Sequence, residues 1–485
     1  VIIGGGIAGM SAAMALASFK RFRHLATPPE IVLLESRKST GGRAGSFSDP
    51  SSGETVDYCQ HVAMGCCTNL LDLLRESGLQ DCFTRYETLT FYHPDTGLCS
   101  FRPHRWLPAP LHLNAALSGL RYLSQSQKHR IRRGLWSLMR TSGEALVTTT
   151  AADWLAKNNQ VSELRTRFWD VILVSALGDV PERVSMQAAR KVFIDGFAGA
   201  RGASDVWVPN QPLSEIFGTA MFEQLVQRAV IVQTQSPVRL IQCPDHDSGR
   251  ASVLLTSGEL IEADHIILAA HWRSSARLIA SLDVAHQSAA MLEWQRNLST
   301  MLSSIEPSPI TGLHLWFDRV LTPHPHVAMV GTIAQWLFGE PLRHSNPNHS
   351  ASPSYYHQVV ISGQHPLSDA PKETLIEHVM QELRAAFPAA QNAQLRQCRV
   401  VTDPAAVYRV SNEFQSHRPN AMTALPWLHL AGDYIQTGWP ATMEGAVISG
   451  RLAAQSVAEH LSPGPVPPFV HSGLPRGLLA RMLIR

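Results

Sequence analysis

The 485-residue sequence predicts an α/β fold in which a domain built on a parallel sheet is interleaved with a second, α+β domain. Three observations carry this. The chain opens on a short apolar strand pattern, a glycine-rich turn and an apolar helical run. Buried-type strand patterns recur far away, at Ala263–Ala269 and Trp427–Ala431. Two large inserts, roughly 90–200 and 275–400, lie between these pieces.

The first unit reads Val1-Ile-Ile-Gly4-Gly5-Gly6-Ile-Ala-Gly9, with Met10 to Phe19 continuing as an apolar helix. Gly4 allows the tight turn, Gly6 lets a pyrophosphate approach the backbone, and Gly9 lets the helix pack close to the strand. Phosphates would then meet free N–H groups at the positive end of a helix. A second strand, Ile31–Leu34, ends in Glu35, placed to accept hydrogen bonds from a ribose diol. The glycine-to-acid spacing exceeds the usual ~20 residues, and the excess falls in a polar loop from Lys20 to Glu30. Strand, glycines, helix, strand and acid in this order describe a Rossmann-like GxGxxG domain that binds a dinucleotide.

Further along, Ala229–Gln233, Val238–Ile241 and Ser252–Thr256 read as strands, and Ala263–Ala269 as a parallel core strand. Trp427–Ala431 ends in Gly432-Asp433, and a helix follows Pro440, with small residues Ala446, Gly450, Ala453 and Ala454 on one face. The cofactor domain is therefore assigned to residues 1–90, 205–275 and 400–460, and the substrate domain to 91–204 and 276–399. Residues 461–485 read as a Pro-rich linker and a basic, apolar tail. His344–Ser354 reads as a loop.

Near Glu35, Gly41-Gly42-Arg43 lets the chain pass close to a cofactor, with Arg43 offsetting diphosphate charge. At Gly432-Asp433 the turn would expose a backbone N–H to a phosphate, and the carboxylate would bind a ribityl hydroxyl. The helix begun by Pro440-Ala441-Thr442-Met443-Glu444 points its N-terminal amides to the same place. Positive potential there favours the negative charge a reduced isoalloxazine develops, a reason to prefer flavin over nicotinamide. The expected cofactor is FAD.

Composition narrows the function classes. With 45% hydrophobic and 16% charged residues and a net charge of +2, the chain gives no case for nucleic acid. Its seven cysteines contain no C-x-x-C and read as reduced thiols of a cytoplasmic protein rather than a disulfide or metal framework. No apolar run reaches the ~18 residues of a membrane span.

Gly4-x-Gly6-x-x-Gly9, Glu35, Gly41-Gly42-Arg43, Val238 and Leu430-Ala431-Gly432-Asp433 resemble the flavin-containing amine oxidase and phytoene desaturase superfamily. Shorter blocks are similar to the hydroxysqualene dehydroxylase family, the squalene-associated FAD-dependent desaturases. They are Val56-Asp57-x-x-Gln60-His61-Val62, Leu107–Leu111, Phe193-x-x-Gly196-Phe197, Gly202–Asp205, His314–Asp318, Ala334–Trp336 and Gly438–Ala446. Two positions depart from the pattern: Tyr58-Cys59 stands where the family has Asn-Gly, and His271-Trp272-Arg273 where it more often has a proline.

The resemblance implies an FAD oxidoreductase of squalene and hopanoid biosynthesis that removes the allylic hydroxyl of hydroxysqualene. Such a reaction needs an acid near the leaving oxygen and a dry apolar tunnel. The candidates for the acid are His61 and Asp205. Either has a plainer role available, His61 holding a loop and Asp205 capping a helix or pairing with Arg201. Asp57, Gln60, Trp336 and Trp439 are the expected substrate-pocket residues, and Val238, Thr442 and Met443 join the cofactor set. The electron donor is unidentified. A carotenoid-type desaturase or isomerase and an amine oxidase are the alternative enzymes. The alternative without catalysis is a prenyl-lipid carrier of the GDP-dissociation-inhibitor type.

A lipid substrate suggests contact with a membrane. Thr96 to Gly143 holds eight Lys or Arg and no Asp or Glu, and the tail after Glu459 also lacks acids. Apolar stretches beside basic residues suit peripheral attachment to the inner face of an anionic membrane. A core helix with a solvated basic face is the plainer reading.

Overall fold

A computed structural model of the chain describes residues 1–19, 28–51, 53–244, 249–284, 288–344, 354–462 and 464–485. Most of the loop expected at Lys20–Glu30, and most of that at His344–Ser354, lie outside the described residues.

The N-terminal strand β1 (Ile2–Ile3) is the centre of a five-stranded sheet. Its other members are β2 (Val32–Leu34), β3 (Ile231–Gln233), β4 (Ile266–Leu268) and β5 (Leu428–Leu430), in the order β3-β2-β1-β4-β5. All four pairings are parallel, with Ile2 opposite Leu33 on one side and Ile267 on the other. Aliphatic residues on both faces suit a sheet covered on both sides. The sheet therefore draws strands from residues 2–34, 231–268 and 428–430.

Helix α1 (Ile7–Ser18) is apolar around most of its circumference because it lies between this sheet and helix α2 (Met443–Leu461). Two glycines make that sandwich close. A side chain at Gly9 would drive its Cβ into the Gly4 carbonyl, and one at Gly450 into the Ala8 carbonyl. Ser11 Oγ donates to the Val447 carbonyl at 3.0 Å across the same seam.

A seven-stranded sheet supports the second half of the molecule. It runs Leu395–Tyr408, Pro307–Phe317, Tyr355–Ser362, Trp336–His344, His326–Met329, Leu89–His93 and Gly97–Phe101. Two of its strands, Leu395–Tyr408 and Leu89–His93, straddle the sequence positions 400 and 90. Period-two alternation sorts its faces. Leu313, Leu315 and Phe317 pack with Val359 and Ile361 under the helix Lys372–Ala386, whereas Trp316 and Tyr356 pack on the opposite face with Val56.

The C-terminal segment is bound to the body along its length. Phe469 packs on Phe19 with ring centroids 5.3 Å apart, and His471 Nε2 meets Asp72 Oδ2 at 2.6 Å. Arg476 pairs with Asp195 at 3.0 Å, and the Arg485 amide donates to the Met139 carbonyl. Among the described residues no helix is long and apolar enough to cross a membrane.

Two predictions follow from this packing. Replacing an exposed helical glycine by alanine normally stabilises by about 1 kcal/mol. Gly450→Ala should do the reverse, lowering stability by about 1–3 kcal/mol through overpacking against α1; denaturant titration measures the sign. Second, His314, His326, His357 and His429 are all at most 2% exposed. Burial pushes the first three down to about 4 and His429 down to about 3, from 6.5. The folded protein thus holds these rings neutral while the unfolded chain takes up protons below pH 6.5. Stability should be full above that pH and fall steadily towards pH 4, each ring contributing a slope of up to about 1.4 kcal/mol per pH unit. Unfolding midpoints that stay level between pH 7 and 5 would refute it.

Candidate cofactor and substrate site

The site begins where β1 ends. Gly4 takes φ +114°, and a Cβ there would lie 2.6 Å from the Ala269 carbonyl, so the turn after β1 must be glycine. Gly6 is different. A Cβ built on it meets only Gly42 Cα, at 4.0 Å, so the backbone faces open space. The second glycine loop closes on this place, with the Gly41 amide donating to the Gly5 carbonyl at 2.8 Å. Gly42 has φ +64°. A diphosphate fits the opening between the two loops, in front of the first amides of α1.

Glu35 is 6% exposed and receives the Gly5 amide on Oε2 and the Arg37 amide on Oε1, each at 2.8 Å. Two amides fix the carboxylate at the end of β2, where a ribose would lie. The Ser236 amide donates to the Glu35 carbonyl, which brings Val238 alongside.

The far end of the site differs in two ways from expectation. The Gly432 amide is not offered to a phosphate: it donates to Ser449 Oγ at 2.8 Å, inside α2. Glycine is required there because a Cβ would enter the Tyr434 ring. Arg43 is likewise not left open to a diphosphate. Its Nη2 pairs with Asp433 Oδ1 at 2.6 Å, its Nη1 donates to the Ala406 carbonyl at 2.8 Å, and its guanidinium lies 5.6 Å from the Trp272 ring centroid. Thr442 caps α2 by accepting the Gly445 amide at 3.1 Å, leaving the amides of Met443 and Glu444 without intrahelical acceptors. The Glu444 carboxylate is buried against Asn69 and Leu70, whose amides it accepts, and burial raises its pKa.

Sequence reading missed the residue that shapes this end. Arg418, 5% exposed, donates to the carbonyls of Asp433, Tyr434, Ile435 and Trp439. One guanidinium thereby holds the whole turn between β5 and α2. Nothing local in Ser416-His417-Arg418 signals this, since each of these four carbonyls lies 15–21 residues away.

On the substrate side, a cavity of about 330 Å³ is lined by Asp57, Gln60, Tyr86, Phe338, Tyr356 and Gln358, among others. Its mixed lining is not the dry apolar tunnel that the sequence led us to expect. Asp57 is fixed by Ser46 Oγ at 2.6 Å and the Leu213 amide at 2.8 Å. The Gln358 Nε2 is buried and has no hydrogen-bond partner among the described residues. Trp336 instead donates its Nε1 to Ser175 Oγ at 2.7 Å, tying the strand to the helical insert. Trp439 lies under the Lys191 ammonium, 4.7 Å from its ring centroid, a poor wall for a cationic amine.

His61 lies at the edge of this arrangement. Its Nδ1 is 2.9 Å from the Cys59 carbonyl, which can only accept, so Nδ1 carries the proton and Nε2 keeps its lone pair. Burial holds its pKa below the usual histidine range, and Arg43 adds to the effect. At neutral pH it is a base, the reverse of the acid expected. Cys59, in the place of the family glycine, is pushed up to about 12 by burial and stays a thiol. His271 caps the helix Trp272–Ala280 and is lowered to about 4 by burial, then by Arg43.

Asp205 is turned elsewhere. It accepts from Arg85 Nε at 2.8 Å, not from Arg201, and lines a separate basin with Arg85, Arg102 and His112.

Comparisons with known proteins place the chain as a whole among its relatives. Residues 7–458 match the family described as flavin containing amine oxidoreductase. The 15-cis-phytoene desaturase of Solanum lycopersicum is 24% identical over 475 residues, covering 95% of this chain and 77% of its own. The zeta-carotene desaturase of Synechocystis sp. is 25% identical over 491 residues, covering 94% and 96%. An oxidoreductase from Methanosarcina mazei superposes with a TM-score of 0.67 at 16% identity, over 94% of this chain and 99% of that one.

The cradle makes its own test. Gly6→Val should leave the unfolding midpoint nearly unchanged, because its side chain points into space the protein does not fill. The same variant should purify with little or no flavin, read from visible absorbance. Full flavin content in Gly6→Val would rule out a diphosphate at this loop.

Proposed function

The chain belongs to the flavin-containing amine oxidoreductase family, a family of catalytic oxidoreductases, and from that premise we propose that it is an FAD-dependent desaturase of a polyisoprenoid lipid. The observation that carries this reading is the match, over at least 94% of this chain, to two relatives named for the desaturation of phytoene and zeta-carotene, with the glycine cradle intact. Family membership sets aside the carrier without catalysis. In the cradle FAD would supply the hydride acceptor.

The chain's own residues divide the remaining work. Gly4, Gly6 and the first turn of α1 hold the diphosphate, and Glu35 the ribose. The N-terminus of α2 at Thr442-Met443 favours negative charge at the ring end. Desaturation removes a hydride from one carbon of the chain and a proton from its neighbour. A neutral His61 with a free Nε2 lone pair suits the proton removal, and Phe338, Val208 and Pro209 give the substrate apolar contact.

A second reading is reductive removal of an allylic hydroxyl from a squalene-type alcohol, as the shorter sequence blocks suggest. One observation favours it: the cavity carries Asp57, Gln60, Asn210 and the unpartnered Gln358 amide, polar groups for which a pure hydrocarbon has no use.

Anaerobic mixing separates the readings. Flavin-loaded protein given phytoene should bleach and yield a product with one more double bond. His61→Gln should slow that step about 100-fold or more at unchanged flavin content. If instead the reduced protein is reoxidised by hydroxysqualene with squalene as product, and Gln358→Leu abolishes this, the second reading holds. Bleaching by primary amines alone would overturn both.

A further inference from the structure

We infer that residues 102–112, the basic basin behind them and the adjoining ridge from Trp136 to Met482 form a docking face for an anionic lipid bilayer. The basin, about 190 Å³, is walled by Arg85, Arg102, His104, Arg105 and Arg201, and its only acids are Asp205 and Glu87. Arg85 is taken up by those two, through Nε to Asp205 at 2.8 Å and Nη2 to Glu87 at 3.8 Å. Arg102, Arg105 and Arg201 make no ion pair among the described residues, so the basin carries three uncompensated charges.

A buried side chain also points to a ligand. His112 lines the basin, is 1% exposed, and among the described residues has neither ring nitrogen in a well-formed hydrogen bond. The Pro110 and Ala200 carbonyls lie near the ring and offer it weak hydrogen bonds at best. A buried imidazole so weakly paired costs stability unless a better partner is supplied, and a phosphate oxygen would accept its N–H.

The surroundings select a bilayer over a free anion. Trp106 is 77% exposed and Leu111 49%, on the segment that walls the basin. The helix Leu113–Gly119 follows directly, and Arg132 of the helix Gln125–Arg140 bonds its Asn114 at 2.8 Å. One turn on from Arg132 is exposed Trp136, and one turn further Arg140 donates to the Met482 carbonyl. Met482 and Leu478 are 74% and 81% exposed. A soluble phosphate would use the basin and leave this apolar ridge in water; a bilayer accounts for both.

The test is co-sedimentation of the full chain with vesicles of phosphatidylcholine alone or mixed equally with phosphatidylglycerol. Binding should require the anionic lipid and weaken with salt. Arg102→Ala/Arg105→Ala/Arg201→Ala should weaken it about a hundredfold, since each basic residue near such a surface contributes about fivefold. Trp106→Ser/Leu111→Ser should weaken it about tenfold or more while preserving the salt dependence. All five positions are exposed, so the variants should keep the parent unfolding midpoint. No sedimentation with anionic vesicles, or an arginine variant that binds like the parent, would overturn the proposal. So would a basin that captures glycerophosphate while the vesicles are ignored. No readout depends on turnover, so the result is independent of the proposed reaction.

Discussion

Backbone meeting backbone is the constraint on which the rest of this molecule depends. Gly9 of α1 rests on the carbonyl of Gly4, and Gly450 of α2 rests on the carbonyl of Ala8, with no side chain between. Those contacts fix α1 in depth and direction between sheet and helix. The amide end of α1 then faces the space in front of Gly6, and the amide end of α2 comes to the far end of the same site. A dinucleotide site with two positive helix ends would thus be a consequence of packing.

Charge in the site is organised by pairing. Arg43 and Asp433, 390 residues apart, neutralise one another while linking the second glycine loop to the turn before α2. Arg418 is matched by carbonyl oxygens, and Glu444 by the amides of a neighbouring helix. The site therefore holds few net charges of its own, and burial makes His61 and Cys59 uncharged as well. That environment suits reactions in which a hydride leaves or joins a carbon skeleton, where stray ionisable groups would invite water.

What the sequence made legible follows from interaction range. Gly4, Gly6, Gly9, Glu35 and the start of α2 could be read because their roles are set by neighbours within one strand-turn-helix unit. The parallel strands at Ile266–Leu268 and Leu428–Leu430 could be read from their short, largely aliphatic runs. The Gly432 amide was misassigned because its acceptor, Ser449, lies one helix away. Asp205 was weighed against Arg201, close in sequence, whereas Arg85 reaches it from 120 residues earlier. His61 was taken as an acid from its ordinary pKa; burial and Arg43 reverse that, and both are tertiary effects.

The interleaving of the cofactor domain also sets an order of events during synthesis. β1 and α1 leave the ribosome long before α2, yet α1 is apolar on nearly every face and its outer cover is α2, Met443–Leu461. The sheet likewise receives its last strand only at Leu430. For most of translation an aliphatic helix and an unfinished sheet edge are without their partners, a state open to aggregation. Truncation ahead of α2 should therefore leave α1 uncovered and yield an insoluble product.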